Sequence, residues 1–254
     1  MKIAAIIPAR MSASRFPGKP LVSILGLPMI EHVRRRTQLI KGLDEVWVAT
    51  CDEEIKSVVE SFGGKAIMTS SKHERATDRI EEVSHKISAD IFINVQGDEP
   101  MLLDSHVLKV VEPYLNGQQP DCSCLCYKIS NFDDLKSLNV VKVVLSKSNK
   151  ILYLSRAQIP GKETSTEVRY YKQSGIMAFT KKSLQMFSKL ESTPLEKKES
   201  VDLLRLLEND LSIQAVLHDQ ETLGVDVKEQ VPFIESAILN DPIQKKIFEA
   251  ISKL

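Results

Sequence analysis

What this sequence most plainly lacks is net charge. Its 254 residues hold 34 Lys+Arg against 34 Asp+Glu, so no global field draws the chain to nucleic acid or to an anionic membrane. Any anion site has to be local. Long apolar runs are missing as well, since no stretch approaches the roughly 18 residues of a membrane span. The opening "MKIAAIIPAR" carries one lysine and a short apolar run, which suits a strand better than a signal peptide. No membrane partner, no nucleic-acid partner and a cytoplasmic location are expected.

The familiar phosphate loops are also absent. Gly18-Lys19 is followed by Pro20, where a Walker loop has Ser or Thr, and Ala13 stands at that loop's first glycine. No G-x-G-x-x-G turn follows the first strand, which argues against a dinucleotide oxidoreductase. The cysteines Cys51, Cys122, Cys124 and Cys126 lack the C-x-x-C spacing and further ligands of a metal site. Cys122, Cys124 and Cys126, spaced by two in "CSCLC", would share one face of a strand as small core residues. No repeat, low-complexity tract or long linker divides the chain. One domain over 1–254 is therefore expected, large enough for a substantial core.

What is present is alternation. "KIAAIIP" (2–8), "EVWVAT" (45–50), "KAIMT" and "DIFINVQGDEP" (90–100) read as strands. Between them, 29–40 reads as a helix with Met29, Ile30, Val33 and Ile40 inward. Helices also fit 53–64, which stops at Gly63-Gly64, and 77–87. Further on, 139–146, 150–160, 174–180 and 212–218 read as strands, 196–210 as one helix, and two amphipathic helices close the chain. Such alternation predicts an α/β fold with a mostly parallel sheet flanked by helices. Ligands of such sheets lie beyond the carboxyl ends of the strands. The Arg10 loop, Thr50 to Asp52 and Gln96 to Glu99 all fall there.

Three stretches carry chemistry. In "IIPARMSASRFPGKP", Arg10, Arg15 and Lys19 crowd a segment that Pro8 and Pro17 keep from becoming a helix. Arginine binds phosphate as a fork and lysine as a point charge. In "INVQGDEP", Asp98 and Glu99 follow an apolar strand, and in "LGVDV" Asp226 sits in an apolar setting. Hard carboxylates facing a polyphosphate are what Mg²⁺ requires of a protein. Together these groups point to metal-assisted phosphoryl or nucleotidyl transfer. The arginines at 34–36 project over a wide arc of their helix and are expected to form a solvated face rather than a docking patch.

These stretches, with "GLPMIEHV", "VATCDEEI", "FGGKAIMTS", "TDRIEEV", "NVQGDEPML", "NVVKVVL", "LYLSRAQIP", "LLRLLE" and "GVDV", resemble the CMP-Kdo synthetase family, the 3-deoxy-manno-octulosonate cytidylyltransferases. The resemblance runs nearly end to end. It implies a Rossmann-like nucleotide-diphospho-sugar transferase fold with a smaller dimerisation and acceptor subregion, normally a homodimer, using CTP and Mg²⁺ on a small acidic acceptor. It also implies that 1–120 is mainly nucleotide-binding, 121–225 mainly acceptor-binding and dimerising, and 226–254 the metal ligand and last helices. By the same resemblance Arg10, Arg15 and Lys19 would hold the triphosphate and Gln96 the nucleotide. Asp98 and Asp226 would bind the metal, so that Arg10, Lys19, Asp98 and Asp226 form the catalytic set.

The acceptor half of the family pattern is altered. The family usually reads H-x-S-G-T-D-R where this chain has "HERATDR", which places Arg75 and Ala76 at the serine and glycine. Gln173 stands where a histidine is usual, Asp202 and Leu203 at a Glu-Gln pair, and Cys51 at a common aspartate. The expected acceptor contacts are Arg75, Lys142, Arg156, Gln173 and Asp202. A pocket that loses hydrogen-bonding partners changes what it accepts, so a different acid is the alternative acceptor. A silent nucleotide-binding regulator and a nucleotidyltransferase with another base are the remaining rivals.

Overall fold

The computed structural model describes residues 1–12, 15–73, 75–161 and 169–254. Ala13, read above against the Walker pattern, and Glu74 of "HERATDR" lie outside them. The chain divides into two compact units, 1–107 with 222–254, and 108–221.

In chain order the first unit carries β1 (Ile3–Ala9), a small hairpin of β2 (Ser23–Ile24) and β3 (Leu27–Pro28), α1 (Met29–Gln38), β4 (Glu45–Thr50), α2 (Glu53–Ser61), β5 (Ala66–Met68), α3 (Ala76–Lys86) and β6 (Ile91–Asn94). Helix α4 (Asp104–Leu115) spans the boundary in sequence. The second unit then holds β7 (Cys122–Lys128), α5 (Phe132–Lys136), β8 (Lys142–Leu145), β9 (Ile151–Ser155), β10 (Tyr171–Thr180), α6 (Lys181–Phe187), α7 (Pro194–Glu199), α8 (Leu203–Leu207) and β11 (Ile213–His218). The first unit is completed by α9 (Val231–Asn240) and α10 (Pro242–Ile251). Among the described residues no helix is long and apolar enough to cross a membrane.

In the first unit the strands run β6-β1-β4-β5, all parallel. Strand β1 is buried from Ile3 to Ile7, as its unbroken apolar run requires of a strand covered on both faces. From β1 the chain moves outward through β4 and β5, then returns to the other side of β1 as β6. That reversal opens a crevice beyond the carboxyl ends of β1 and β6. Helices α1, α2 and α3 pack on this sheet. A second core gathers Ile24, Met29, Met101, Val225, Ile234 and Ile238, with Phe16 against it.

Helix α1 overturns one expectation. Arg34, Arg35 and Arg36 are not a solvated face: each is at most 5% exposed. The buried Glu31 carboxylate takes Arg34 at 2.6 Å and Arg35 at 3.0 Å. Arg35 also donates to the Ile251 carbonyl, and Arg36 to Gln244 Oε1 and the Leu102 carbonyl. Helix α10 thus covers Arg35 and Arg36, while Arg34 donates to Gln38 Oε1 and the Phe62 carbonyl. Between them His32 donates from Nε2 to the Ile24 carbonyl at 2.7 Å and stacks on Phe248.

In the second unit β7 lies between antiparallel β10 and parallel β11, and β8 pairs with β10 and β9. Cys122, Cys124 and Cys126 are buried and unbridged, and burial first of all pushes the Cys122 thiol well above its usual range. The single helix expected over 196–210 is two. Ser200, at φ 55°, breaks it. Glu196 and Arg205 then meet as a buried pair at 2.6 Å. On one straight helix these positions would lie ~13.5 Å apart along the axis and on opposite faces. Helices α4, α5 and α6 are additions to the sequence reading. Strands β6 and β9 end at Asn94 and Ser155, short of the residues expected.

Candidate active site

A cavity of about 310 Å³ opens in the first unit at the ends of β1 and β6. Backbone geometry builds it. Gly97 packs so close to β1 that a Cβ there would lie 2.9 Å from the Pro8 carbonyl oxygen, which carries Gln96 and Asp98 to the rim. The cation loop is fixed at both ends. The Met11 amide donates to Asp52 Oδ2 at 2.9 Å, and the Gly18 amide to the Met11 carbonyl at 3.0 Å. Gly18, at φ 74°, makes the left-handed turn into Lys19–Leu21. Phe16 anchors the loop on the core.

Asp226 is brought in by backbone contacts as well. The Val225 amide donates to the Asp98 carbonyl at 2.9 Å, and a Cβ on Gly224 would lie 3.3 Å from that same oxygen. The Gln230 side chain accepts from the Asp226 amide at 2.6 Å. The two aspartates, far apart in sequence, therefore stand on one backbone junction.

Lys19 sits between them. Its ammonium lies 2.5 Å from Asp98 Oδ2 and 3.9 Å from Asp226 Oδ1, and donates to the Val225 carbonyl at 2.7 Å. Arg15 pairs with Asp226 at 2.9 Å in a more exposed setting. Arg10 is exposed and forms no ion pair among the described residues. Arg75 and Arg79 complete the charged lining, with His73 and Gln96. Arg79 is held by the Thr69 hydroxyl and, at 3.7 Å, by the Cys51 thiol. His73 meets Glu82 at 2.6 Å. Burial pushes the Glu82 carboxyl up, but Lys86, the Ser70 amide and His73 together draw it down to about 2.

Arg10, Arg15, Lys19, Gln96, Asp98 and Asp226 thus line one cavity with Arg75. The other expected acceptor residues lie in the second unit. Lys142 is a correction: it is fully buried, and its three N–H groups go to the carbonyls of Ser137, Val140 and Arg156. That ammonium closes a loop and keeps no donor for a ligand. Arg156 is likewise tied to the carbonyls of Glu199, Leu138 and Ser200. Gln173 is half-buried on β10, and Asp202 is half-buried at the start of α8, beside a fully buried Leu203. Sequence reasoning passed over Asp52 and Gln230, which grip the two loops. Asp52 had a visible signal, an acid directly after an apolar strand.

The fold and cavity have known counterparts. Residues 4–223 match the Cytidylyltransferase family. The 3-deoxy-manno-octulosonate cytidylyltransferase of Escherichia coli is 43% identical over 229 residues, 89% of this chain and 91% of that one. The 8-amino-3,8-dideoxy-manno-octulosonate cytidylyltransferase of Shewanella pealeana is 38% identical over 95% of this chain and 100% of its own length. Among solved structures, CMP:2-keto-3-deoxy-manno-octonic acid synthetase complexed with CTP superposes with a TM-score of 0.89 at 38% identity. It covers 94% of this chain and 98% of that one.

Proposed function

The chain belongs to the cytidylyltransferase family and is a nucleotidyltransferase, and from that premise we propose that it transfers CMP from CTP to the anomeric hydroxyl of a 3-deoxy-2-ulosonic acid such as 3-deoxy-manno-octulosonate, releasing pyrophosphate. One observation supports this reading above the rest. Among the described residues, four arginines and a lysine (Arg10, Arg15, Lys19, Arg75 and Arg79) line one cavity together with the carboxylates of Asp98 and Asp226. A chain with no net charge has concentrated positive charge at a strand switch point, and a triphosphate is the ligand that balances it.

Arg10, Arg15 and Lys19 grip the β- and γ-phosphates and stabilise the charge that grows on departing pyrophosphate. Gln96, at the end of β6, offers an amide to the nucleotide. The acceptor hydroxyl attacks the α-phosphorus in line, so the protein's part is positioning and electrostatics, with no covalent intermediate.

The donor set fits Mg²⁺: two hard carboxylates already converge on one positive charge, the Lys19 ammonium, and this ion commonly takes one or two protein carboxylates with phosphate and water completing its shell. Asp98 and Asp226 would hold it, and when bound it would supply Lewis-acid neutralisation of the reacting phosphate. The proposal includes a homodimer, which sedimentation equilibrium would test.

The relatives named above act on an octulosonate and on its 8-amino analogue. A second reading, transfer to a modified acid, is favoured by Arg75, a permanent cation on the cavity wall where the family pattern has serine. The test is pyrophosphate release with CTP, UTP, ATP or GTP against 3-deoxy-manno-octulosonate and its 8-amino analogue. Release is expected only with CTP plus an octulosonate. Release with the analogue alone moves the acceptor to the second reading, and CTP binding without acid-dependent release defeats both.

A further inference from the structure

The position of Lys19 carries a consequence for the order in which the site assembles. The chain's own cations neutralise the inner acid pair: Asp98 meets Lys19 at 2.5 Å, and Asp226 meets Arg15 at 2.9 Å and Lys19 at 3.9 Å. Lys19 is held in place by the Val225 carbonyl and is only 13% exposed, so its ammonium is a fixed occupant rather than a wandering surface charge. A divalent cation arriving alone would have to displace that ammonium. It would then face Arg10, Arg75 and Arg79 across the same cavity.

We infer that Lys19 is a built-in place-holder that keeps free divalent metal away from Asp98 and Asp226 until a triphosphate draws the ammonium off. This inference rests on the metal reading of the two aspartates given above. A nucleotide triphosphate reverses the balance of charge. Its oxygens attract Lys19 and Arg15, both aspartates lose their counter-ions, and a site holding two carboxylates and a polyphosphate then demands a dication. Metal and nucleotide therefore bind with positive coupling, each raising the affinity for the other by the same factor. Lys19 also contacts both carboxylates at once, which makes it a positioning residue before it becomes a phosphate contact.

The experiment uses the whole chain and Mn²⁺ as probe, with bound and free Mn²⁺ counted by electron paramagnetic resonance. Titrations are run with and without a CTP analogue carrying a methylene between the α- and β-phosphates. Wild-type protein alone is expected to bind Mn²⁺ weakly. Lys19→Met is expected to bind it about tenfold more tightly without nucleotide, within the usual range of such couplings, and to show less coupling to the analogue. Lys19→Gln, which keeps a donor for the Val225 carbonyl but drops the charge, covers the case in which methionine disturbs folding. Equal or weaker Mn²⁺ affinity in both variants without nucleotide overturns the place-holder role. Asp226→Asn separates the two ideas: if it binds Mn²⁺ with the analogue as wild type does, the metal reading itself has failed.

Discussion

Gly97 and Pro8 approach so closely that a single methyl on Gly97 would lie 2.9 Å from the Pro8 carbonyl oxygen. Backbone cannot yield as a flexible side-chain tip can, so Gly97→Ala has to lift the loop that carries Gln96 and Asp98. The expected cost is about 1–3 kcal/mol, lowering Tm by roughly 2–4 °C per kcal/mol in a chain of this size. Calorimetry and kinetics on the same sample check it. An unchanged Tm with unchanged kcat/KM would show that the loop absorbs the methyl.

Asp98 and Asp226 are joined through Lys19 and a shared backbone junction. Asp98→Asn and Asp226→Asn each keep the shape and remove one charge. Each is expected to lower kcat about 10²–10³-fold, the scale of losing one well-placed electrostatic contact in a transition state. Pyrophosphate release at saturating CTP is the measurement, with Tm as the control for folding.

Glu31 pairs with both Arg34 and Arg35 and is itself fully buried. Glu31→Gln leaves two buried guanidinium groups without their counter-charge. A loss of about 3–5 kcal/mol is expected, read as a lower midpoint in urea. A change below 1 kcal/mol would mean that the arginines are neutralised elsewhere.

These arginines mark where the sequence stopped being legible. A run of three cations on one helix reads as a wet surface, because nothing nearby in sequence announces that Gln244 and the Ile251 carbonyl will close over it. Lys142 misled for the same reason, since its three carbonyl partners converge only after the second unit folds. The break at Ser200 serves the Glu196–Arg205 pair, a contact outside helical spacing. Helix α4 was hidden by Pro113 in its last turn. The centre of the first unit's sheet was legible because β1 and β6, buried along nearly their whole length, are almost unbroken apolar runs. The cavity was legible because strand ends, prolines and isolated charges mark it locally. Gln230 was not, because it acts on another residue's backbone, and for Asp52 the sequence showed its place past a strand but not its partner, the Met11 amide.

His32 gives the protein an acid-side weakness. Burial, opposed by its bond to the Ile24 carbonyl and reinforced by Arg36 and Arg35, lowers its pKa from 6.5 to about 4. The unfolded chain then binds the proton more readily, so this contribution is complete above pH 6.5 and is lost as pH falls toward 4. It amounts to about 3 kcal/mol. Urea midpoints between pH 7 and 4 should fall for wild type and stay flatter for His32→Gln. Parallel slopes would place the acid sensitivity in another group.

The most direct test is a crystal structure with CTP and Mn²⁺, located by its anomalous scattering. The expected result is one Mn²⁺ contacting both Asp98 and Asp226, with the β- and γ-phosphates on Arg10, Arg15 and Lys19 and the Lys19 ammonium moved off Asp98. A nucleotide bound outside this cavity, or Mn²⁺ touching neither aspartate, would contradict it.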